Sequence, residues 1–261
     1  MAKAADMPTR FCRFMVDGRS YSGVIRANSV EIVEGDPFVK TISPVRLSYP
    51  IDRVRFLPPF MPKKIWCVGR NYLGHIKELH NEVPKEPLIF MKSVSALIGA
   101  DDIIRIPSWA GVIHYEGELA AVIGKGGKNI KEENALNHVL GYSIMNDVTA
   151  REMQKADGQW TRAKSFDTFA PFGPALLLAK TMPEDAVLRT FVNGAVKQEA
   201  SFSQMIFPVK RLISHISRFA TLEEGDVIAT GTPEGVGPIK AGDIVEIKID
   251  GIGKLRNVCG N

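Results

Sequence analysis

Several stretches of the chain alternate apolar and polar residues with a period of two, the pattern of strands with one buried face. Arg13-Phe14-Met15-Val16, the turn Asp17-Gly18-Arg19 and Ser20-Tyr21-Ser22-Gly23-Val24 read as a hairpin. Val30-Glu31-Ile32-Val33 continues the alternation, and Pro44, Pro50, Pro58, Pro59 and Pro62 then leave little room for helix. The pattern predicts a small β-rich N-terminal domain over residues 1–60 and a main domain over 61–261. In the main domain, Lys64–Val68, Pro87–Lys92, Gly111–Ile123, Gly141–Met145 and Ile244–Ile249 are strand-like. Helical spacing predicts a helix over Leu73–Asn81, carrying His75, Glu78 and His80, and a second over Glu132–Leu140 closed by Gly141. Thr149-Ala150-Arg151-Glu152 is a capping-box sequence that places a helix start at Thr149. A last helix sets Leu212, Ile213, Ile216 and Phe219 toward the core and leaves His215 solvated. Strands dominate, so the chain reads as a β-rich α+β protein.

Composition narrows the class. With 261 residues, 45% of them hydrophobic, the chain can bury one large core beside a small companion. A net charge of +4 from 33 basic and 29 acidic residues, with no basic block, argues against nucleic acid. No run reaches transmembrane length, and Met1–Arg10 lacks the apolar core of a signal peptide. Cys12, Cys67 and Cys259 match no zinc spacing; three scattered cysteines fit a reduced, cytoplasmic compartment and small core or surface positions.

Candidate chemistry begins at His114-Tyr115-Glu116-Gly117-Glu118. In an extended segment, Glu116 and Glu118 point to one face. Two carboxylates on an apolar strand are costly to bury unless they are paired or bound to a cation. Asp147 ends a second apolar run, and three hard oxygen donors converging there would suit Mg²⁺ or Mn²⁺. The alternative is a wet edge strand with Asp147 as a helix cap. Because Thr149 can cap the next helix, Asp147 is free to face the carboxylates, and the positive end of that helix favours negative charge nearby. His75 and Glu78, three apart, could act as a general base and its orienting carboxylate, or stand as an exposed helical pair. Lys164 could stabilise an oxyanion or lie on the surface. The glycines of Thr230–Gly237 either let the backbone approach a ligand or simply make turns.

Taken together and in order, Gly69-Arg70-Asn71-Tyr72, His75-x-x-Glu78, Tyr115-Glu116-Gly117-Glu118-Leu119-Ala120, Asn146-Asp147-Val148-Thr149-Ala150-Arg151, Ala163-Lys164-Ser165-Phe166-Asp167 and Thr230-Gly231-Thr232-Pro233 resemble the fumarylacetoacetate hydrolase family over residues 64–257. The resemblance implies a mixed β-sandwich roll, usually a homodimer, with Mg²⁺ or Mn²⁺ held by Glu116, Glu118 and Asp147. It further implies that His75 and Glu78 activate water on a lid, and that Lys164 meets the substrate's keto or enolate oxygen. Tyr72, Arg151, Gln154 and Thr230 would help to bind a small 2-oxo acid. The implied activity is hydrolysis or decarboxylation of an acylpyruvate or oxaloacetate-like acid. The alternative is isomerisation of 5-carboxymethyl-2-hydroxymuconate or 2-hydroxyhepta-2,4-diene-1,7-dioate in aromatic-acid catabolism. Losing an acyl group or CO₂ from C3 leaves the same enolate, which is why sequence separates these activities poorly. A binding protein that kept only the scaffold would have lost a ligand or a dyad member, and none is lost.

Overall fold

A computed structural model describes residues 9–39 and 41–261 and gathers the strands into three sheets. The main path of a twelve-stranded sheet runs Thr41–Pro50, Ser29–Asp36, Arg19–Ile25, Thr9–Val16, Ala170–Leu178, Val139–Asn146, Gly117–Ile123, Val227–Ala229, Ile65–Gly69, Leu88–Lys92. The N-terminal hairpin forms at the expected turn, where Asp17 (φ 47) and Gly18 (φ 72) both take the left-handed conformation. Thr9–Val16 pairs with Ala170–Leu178, so the N-terminal strands continue the main sheet. Residues 1–8 of the charged N-terminal stretch, and Lys40, lie outside the described residues.

A five-stranded sheet, ordered Ala195–Ser201, Val187–Val192, Ile244–Ile249, Gly253–Gly260, Ile103–Arg105, covers one face of the large one. Leu119, Ala121, Tyr142 and Ile144 join Leu188, Ile247, Ile249 and Leu255 in one core between the two sheets. The Gly117–Ile123 strand is buried on its other face too, where Ala120 and Val122 meet Cys67, Met145, Phe172 and Ala229. Glu118 is in step with Ala120 and Val122, so a carboxylate enters the protein on an otherwise apolar face. A third, three-stranded sheet (Thr149–Ala150, Ile113–Tyr115, Gly237–Ile239) closes the end where the carboxylates lie. The result is a strand-rich mixed sandwich with few helices: α1 (Leu73–Glu78), α2 (Arg151–Asp157), α3 (Thr161–Lys164) and α4 (Val209–Phe219). Among the described residues, no helix is long and apolar enough to cross a membrane.

Local expectations fail where tertiary contacts outrank local signals. Helix α1 stops at Glu78, and His80 (φ 52) sits in the left-handed turn beyond it rather than on the helix. The segment Glu132–His138 is a 3₁₀ turn, and Gly141 lies inside the Val139–Asn146 strand, not at a helix end. A side chain at Gly141 would collide with the Leu177 carbonyl, so that glycine permits close strand approach. Thr149 caps nothing: it is a strand residue whose hydroxyl donates to the Asp147 carbonyl at 2.8 Å, and α2 starts at Arg151. The pairing of Thr149 with His114 wins over the capping box. On α4, Leu212, Ile213 and Ile216 are buried as expected, but Phe219 is exposed and stacks edge-on with Trp66, while His215 is half-buried against it.

Candidate active site

The strand predicted across Gly111–Ile123 breaks at one residue, Glu116. The side-chain carbonyl of Asn146 accepts the Glu116 N–H at 2.9 Å, and the Glu116 carbonyl accepts the Asp147 N–H at 2.8 Å. These two bonds fasten the ends of neighbouring strands and turn their acidic side chains inward. Glu116, Glu118 and Asp147 are all buried, and one carboxylate oxygen from each lies within 4.8 Å of the others.

Three cations share the space. Lys164, brought in by α3, donates to Glu116 Oε2 at 2.7 Å and to Asp147 Oδ2 at 2.6 Å. Arg151 donates to Glu116 Oε1 at 2.5 Å, and Lys92 donates to Asp147 Oδ1 at 2.7 Å. Burial raises the Glu116 carboxyl, but Lys164 and then Arg151 outweigh it and hold the group well below the usual carboxylate range. Burial likewise disfavours the Lys164 ammonium, and Asp147 and Glu116 reverse this, leaving its pKa raised. Glu118 is different. It accepts the Gly231 N–H at 2.8 Å, yet burial, Asp147 and Glu116 push its carboxyl well above the ordinary value. A buried carboxylate without its own cation, next to two others, is the position a divalent ion would relieve, and an all-oxygen donor set suits a hard one. The three residues could hold a metal ion.

His75 Nδ1 lies 3.3 Å from Glu78 Oε2 on α1, with the histidine buried. The other Glu78 oxygen accepts the Gly235 N–H at 3.1 Å, tying α1 to the Thr230–Gly237 loop. Both the carboxylates and His75 face a cavity of about 630 Å³, which Arg70, His114, Arg151, Gln154, Lys155, Lys164 and Thr232 also line. Phe90 and Trp160, edge to face at 5.1 Å, make its aromatic wall, and Lys164 Nζ sits 5.0 Å over the Phe90 ring. Gln154 Oε1 accepts from Arg151 at 2.6 Å. Arg151 Nε is buried without a hydrogen-bond partner among the described residues.

Seven of the ten residues singled out from sequence therefore line one cavity: His75, Glu116, Glu118, Asp147, Arg151, Gln154 and Lys164. Glu78, Tyr72 and Thr230 do not line it, Glu78 standing behind His75 as its partner. Tyr72 is buried, its hydroxyl pushed up by burial and by the charge of Glu118, and Thr230 Oγ1 donates to the Leu119 carbonyl at 3.0 Å. Sequence reading passed over Lys92, His114 and Thr232. Lys92 had a visible signal, a lysine closing the apolar run Leu88–Met91. His114 is two residues before Glu116 and so shares its face; burial first, then Arg151, lower its pKa to about 4. Thr232 had no signal beyond its loop.

Comparison with known proteins agrees with this architecture. The model of the fumarylacetoacetate (FAA) hydrolase C-terminal family matches residues 64–259, and that of the Rv2993c-like N-terminal family matches 9–59. Oxaloacetate tautomerase fahd2, mitochondrial, of Xenopus laevis is 46% identical over 75% of this chain and 65% of its own. Oxaloacetate tautomerase YisK of Bacillus subtilis is 42% identical over 85% of this chain and 76% of its own. The crystal structure of 2-hydroxyhepta-2,4-diene-1,7-dioate isomerase from Mycobacterium marinum superposes with a TM-score of 0.88 at 42% identity, covering 97% of this chain and 98% of that one. With the family model spanning most of the chain and a solved relative matching nearly all of it, this protein belongs to the fumarylacetoacetate hydrolase family of enzymes.

Proposed function

We propose that the chain is a divalent-metal-dependent enzyme that cleaves a C–C bond in a small 2-oxo acid, an acylpyruvate or an oxaloacetate-like acid, through an enolate. The observation that carries this reading is the convergence of Glu116, Glu118 and Asp147 in the cavity that also holds Lys164 and His75, the latter backed by Glu78. Glu116, Glu118 and Asp147 would hold Mg²⁺ or Mn²⁺, which when bound supplies Lewis-acid charge to the carboxylate and 2-oxo oxygens. Lys164, kept protonated by its carboxylate partners, offers a second positive charge to the developing enolate oxygen. The unpartnered Nε of Arg151 is a donor for substrate, and Gln154 fixes its guanidinium. Tyr72 and Thr230 act from behind the cavity wall as supports of the loop and lid that face it.

In an acylpyruvate, His75 takes a proton from water, with Glu78 fixing the ring, as the water oxygen attacks C4. The C3–C4 bond then breaks, a carboxylic acid leaves, and the enolate of pyruvate takes a proton at C3. Phe90, Trp160 and the lid α1 exclude bulk water from that carbanionic carbon.

A second reading, tautomerisation or isomerisation, is favoured by the names of the relatives, which are oxaloacetate tautomerases and a 2-hydroxyhepta-2,4-diene-1,7-dioate isomerase. It uses the same metal and Lys164 and moves a proton without attack by water. The test is a panel of acylpyruvates, oxaloacetate and hydroxymuconate analogues with Mg²⁺ or Mn²⁺, scored for product, with and without excess chelator. Acid plus pyruvate, or pyruvate plus CO₂, supports cleavage; enol–keto interconversion alone supports the second reading; unchanged turnover in chelator rejects the metal. Residues 1–60 read as a supporting domain and 61–261 as the catalytic one. Three free, buried cysteines fit a reducing cytoplasm, and a homodimer is the expected assembly, measurable by light scattering.

A further inference from the structure

The cavity lining carries more positive charge than its carboxylates use. Lys164, Arg151 and, from behind, Lys92 are each ion-paired with Glu116 or Asp147. Arg70 and Lys155 also line the cavity, yet neither forms an ion pair or a side-chain hydrogen bond among the described residues. The remaining acidic lining residue, Glu152, packs its carboxylate over Gly111, where a side chain would collide with it, and pairs with neither cation among the described residues.

Both cations are placed by the fold. Arg70 follows the Ile65–Gly69 strand with φ 56, a left-handed conformation that costs a non-glycine residue about 1 kcal/mol or more. Its neighbour Asn71 pins that backbone. Asn71 Nδ2 donates to the carbonyls of Thr230 at 2.7 Å and Phe207 at 3.1 Å, and its Oδ1 accepts the Phe207 N–H at 2.8 Å. Arg70 therefore faces the cavity from a fixed point while half-buried. Lys155 stands one turn beyond Arg151 on α2 and lines the same cavity from its exposed rim.

We propose that Arg70 and Lys155 form an anion subsite that selects 2-oxo acids with a second carboxylate over those ending in a neutral acyl group. The proposal rests on the 2-oxo acid reading above. The first carboxylate and the 2-oxo oxygen belong to the end of the cavity with Glu116, Glu118 and Asp147. The second carboxylate meets Arg70 through paired N–H donors, with Lys155 as a point charge at the wetter rim. The class of substrate is thus a short dianion, and the singly charged acylpyruvates become the poorer members of the panel.

The experiment compares kcat/KM for oxaloacetate and for acetylpyruvate, with Mg²⁺, in the full-length enzyme and in Arg70→Asn, Lys155→Gln and Lys155→Glu. Asparagine tolerates the left-handed backbone at 70, and glutamine keeps the exposed helical site at 155, so each variant should fold. The dianion-to-monoanion ratio should fall about tenfold in Arg70→Asn, mainly through KM, and further in Lys155→Glu than in Lys155→Gln. A ratio that falls less than about threefold in every variant overturns the subsite. Oxalate titrated into the parent enzyme keeps the two readings apart, since it engages only the carboxylate end. If oxalate binding does not depend on metal, the 2-oxo acid reading fails; if it does and the ratio stays put, only the subsite fails.

Discussion

Lys92 Nζ donates to Asp147 Oδ1 at 2.7 Å, and both side chains are buried. The same ammonium donates to the Val148 carbonyl at 3.2 Å, so it holds the strand end as well as the charge. Removing one partner of a buried pair leaves the other uncompensated, which costs far more than the pair contributes relative to apolar packing. Lys92→Met should therefore lower unfolding free energy in urea by about 3 kcal/mol in metal-free protein. A change below about 1 kcal/mol would mean that Lys164 alone satisfies Asp147.

Glu118 gives the metal reading a pH signature. Burial, Asp147 and Glu116 raise its folded carboxyl well above the ordinary value. In metal-free protein this group's stabilising contribution is present below the ordinary carboxylate value and is lost as pH rises through the raised one. Metal needs the ionised form, so binding below the raised value must release a proton. Mn²⁺ affinity should climb with pH by up to about tenfold per unit and then level off. Calorimetry in buffers of different ionisation enthalpy counts the proton. In Glu118→Gln the slope should disappear and binding should weaken; a flat profile in the parent would remove Glu118 from the ligand set.

Much of this was readable in the chain, for stated reasons. Period-two patterning located strands such as Ile244–Ile249, whose sheet buries alternate residues, whereas Gly117–Ile123 was legible as an apolar run because it is buried on both faces, and the spacing of Glu116 and Glu118 put them on one face. The Asp17-Gly18 turn was legible because its backbone demands residues that tolerate positive φ. What failed was local: the capping box at Thr149 and the helix closed by Gly141 are good short-range signals overruled by strand pairing. Cooperation between distant segments was invisible. Nothing near Lys92 indicates that it meets Asp147 across 55 positions, and nothing near Glu78 indicates that Gly235 holds it.

The dyad separates the two proposed reaction types. His75→Ala should cut acylpyruvate hydrolysis by about 100-fold or more while leaving Mn²⁺ binding within error, because no carboxylate ligand is touched. Glu78→Gln should lose less, since an amide can still orient the imidazole. Tautomerisation of oxaloacetate, measured by the decay of enol absorbance, should persist in His75→Ala if water attack is the only step that needs this base. Equal loss of both activities would assign His75 to proton transfer at C3 instead.

Helix α1 is held by a loop that admits only glycine at one position. Gly235 has φ 94, and a side chain there would collide with the Lys197 carbonyl, yet its N–H is what reaches Glu78. Gly235→Ala should therefore displace the donor and loosen α1, at a cost of about 1–3 kcal/mol. The Ile76 and Leu79 amides, which bond to the Tyr72 and His75 carbonyls, report that loosening by hydrogen exchange. In the parent, oxalate with Mg²⁺ should slow their exchange about tenfold by closing the cavity beneath α1. In Gly235→Ala they should exchange faster in the free enzyme and recover protection only at higher oxalate. Identical exchange in both proteins, with and without oxalate, would mean that α1 is a fixed wall and not a lid.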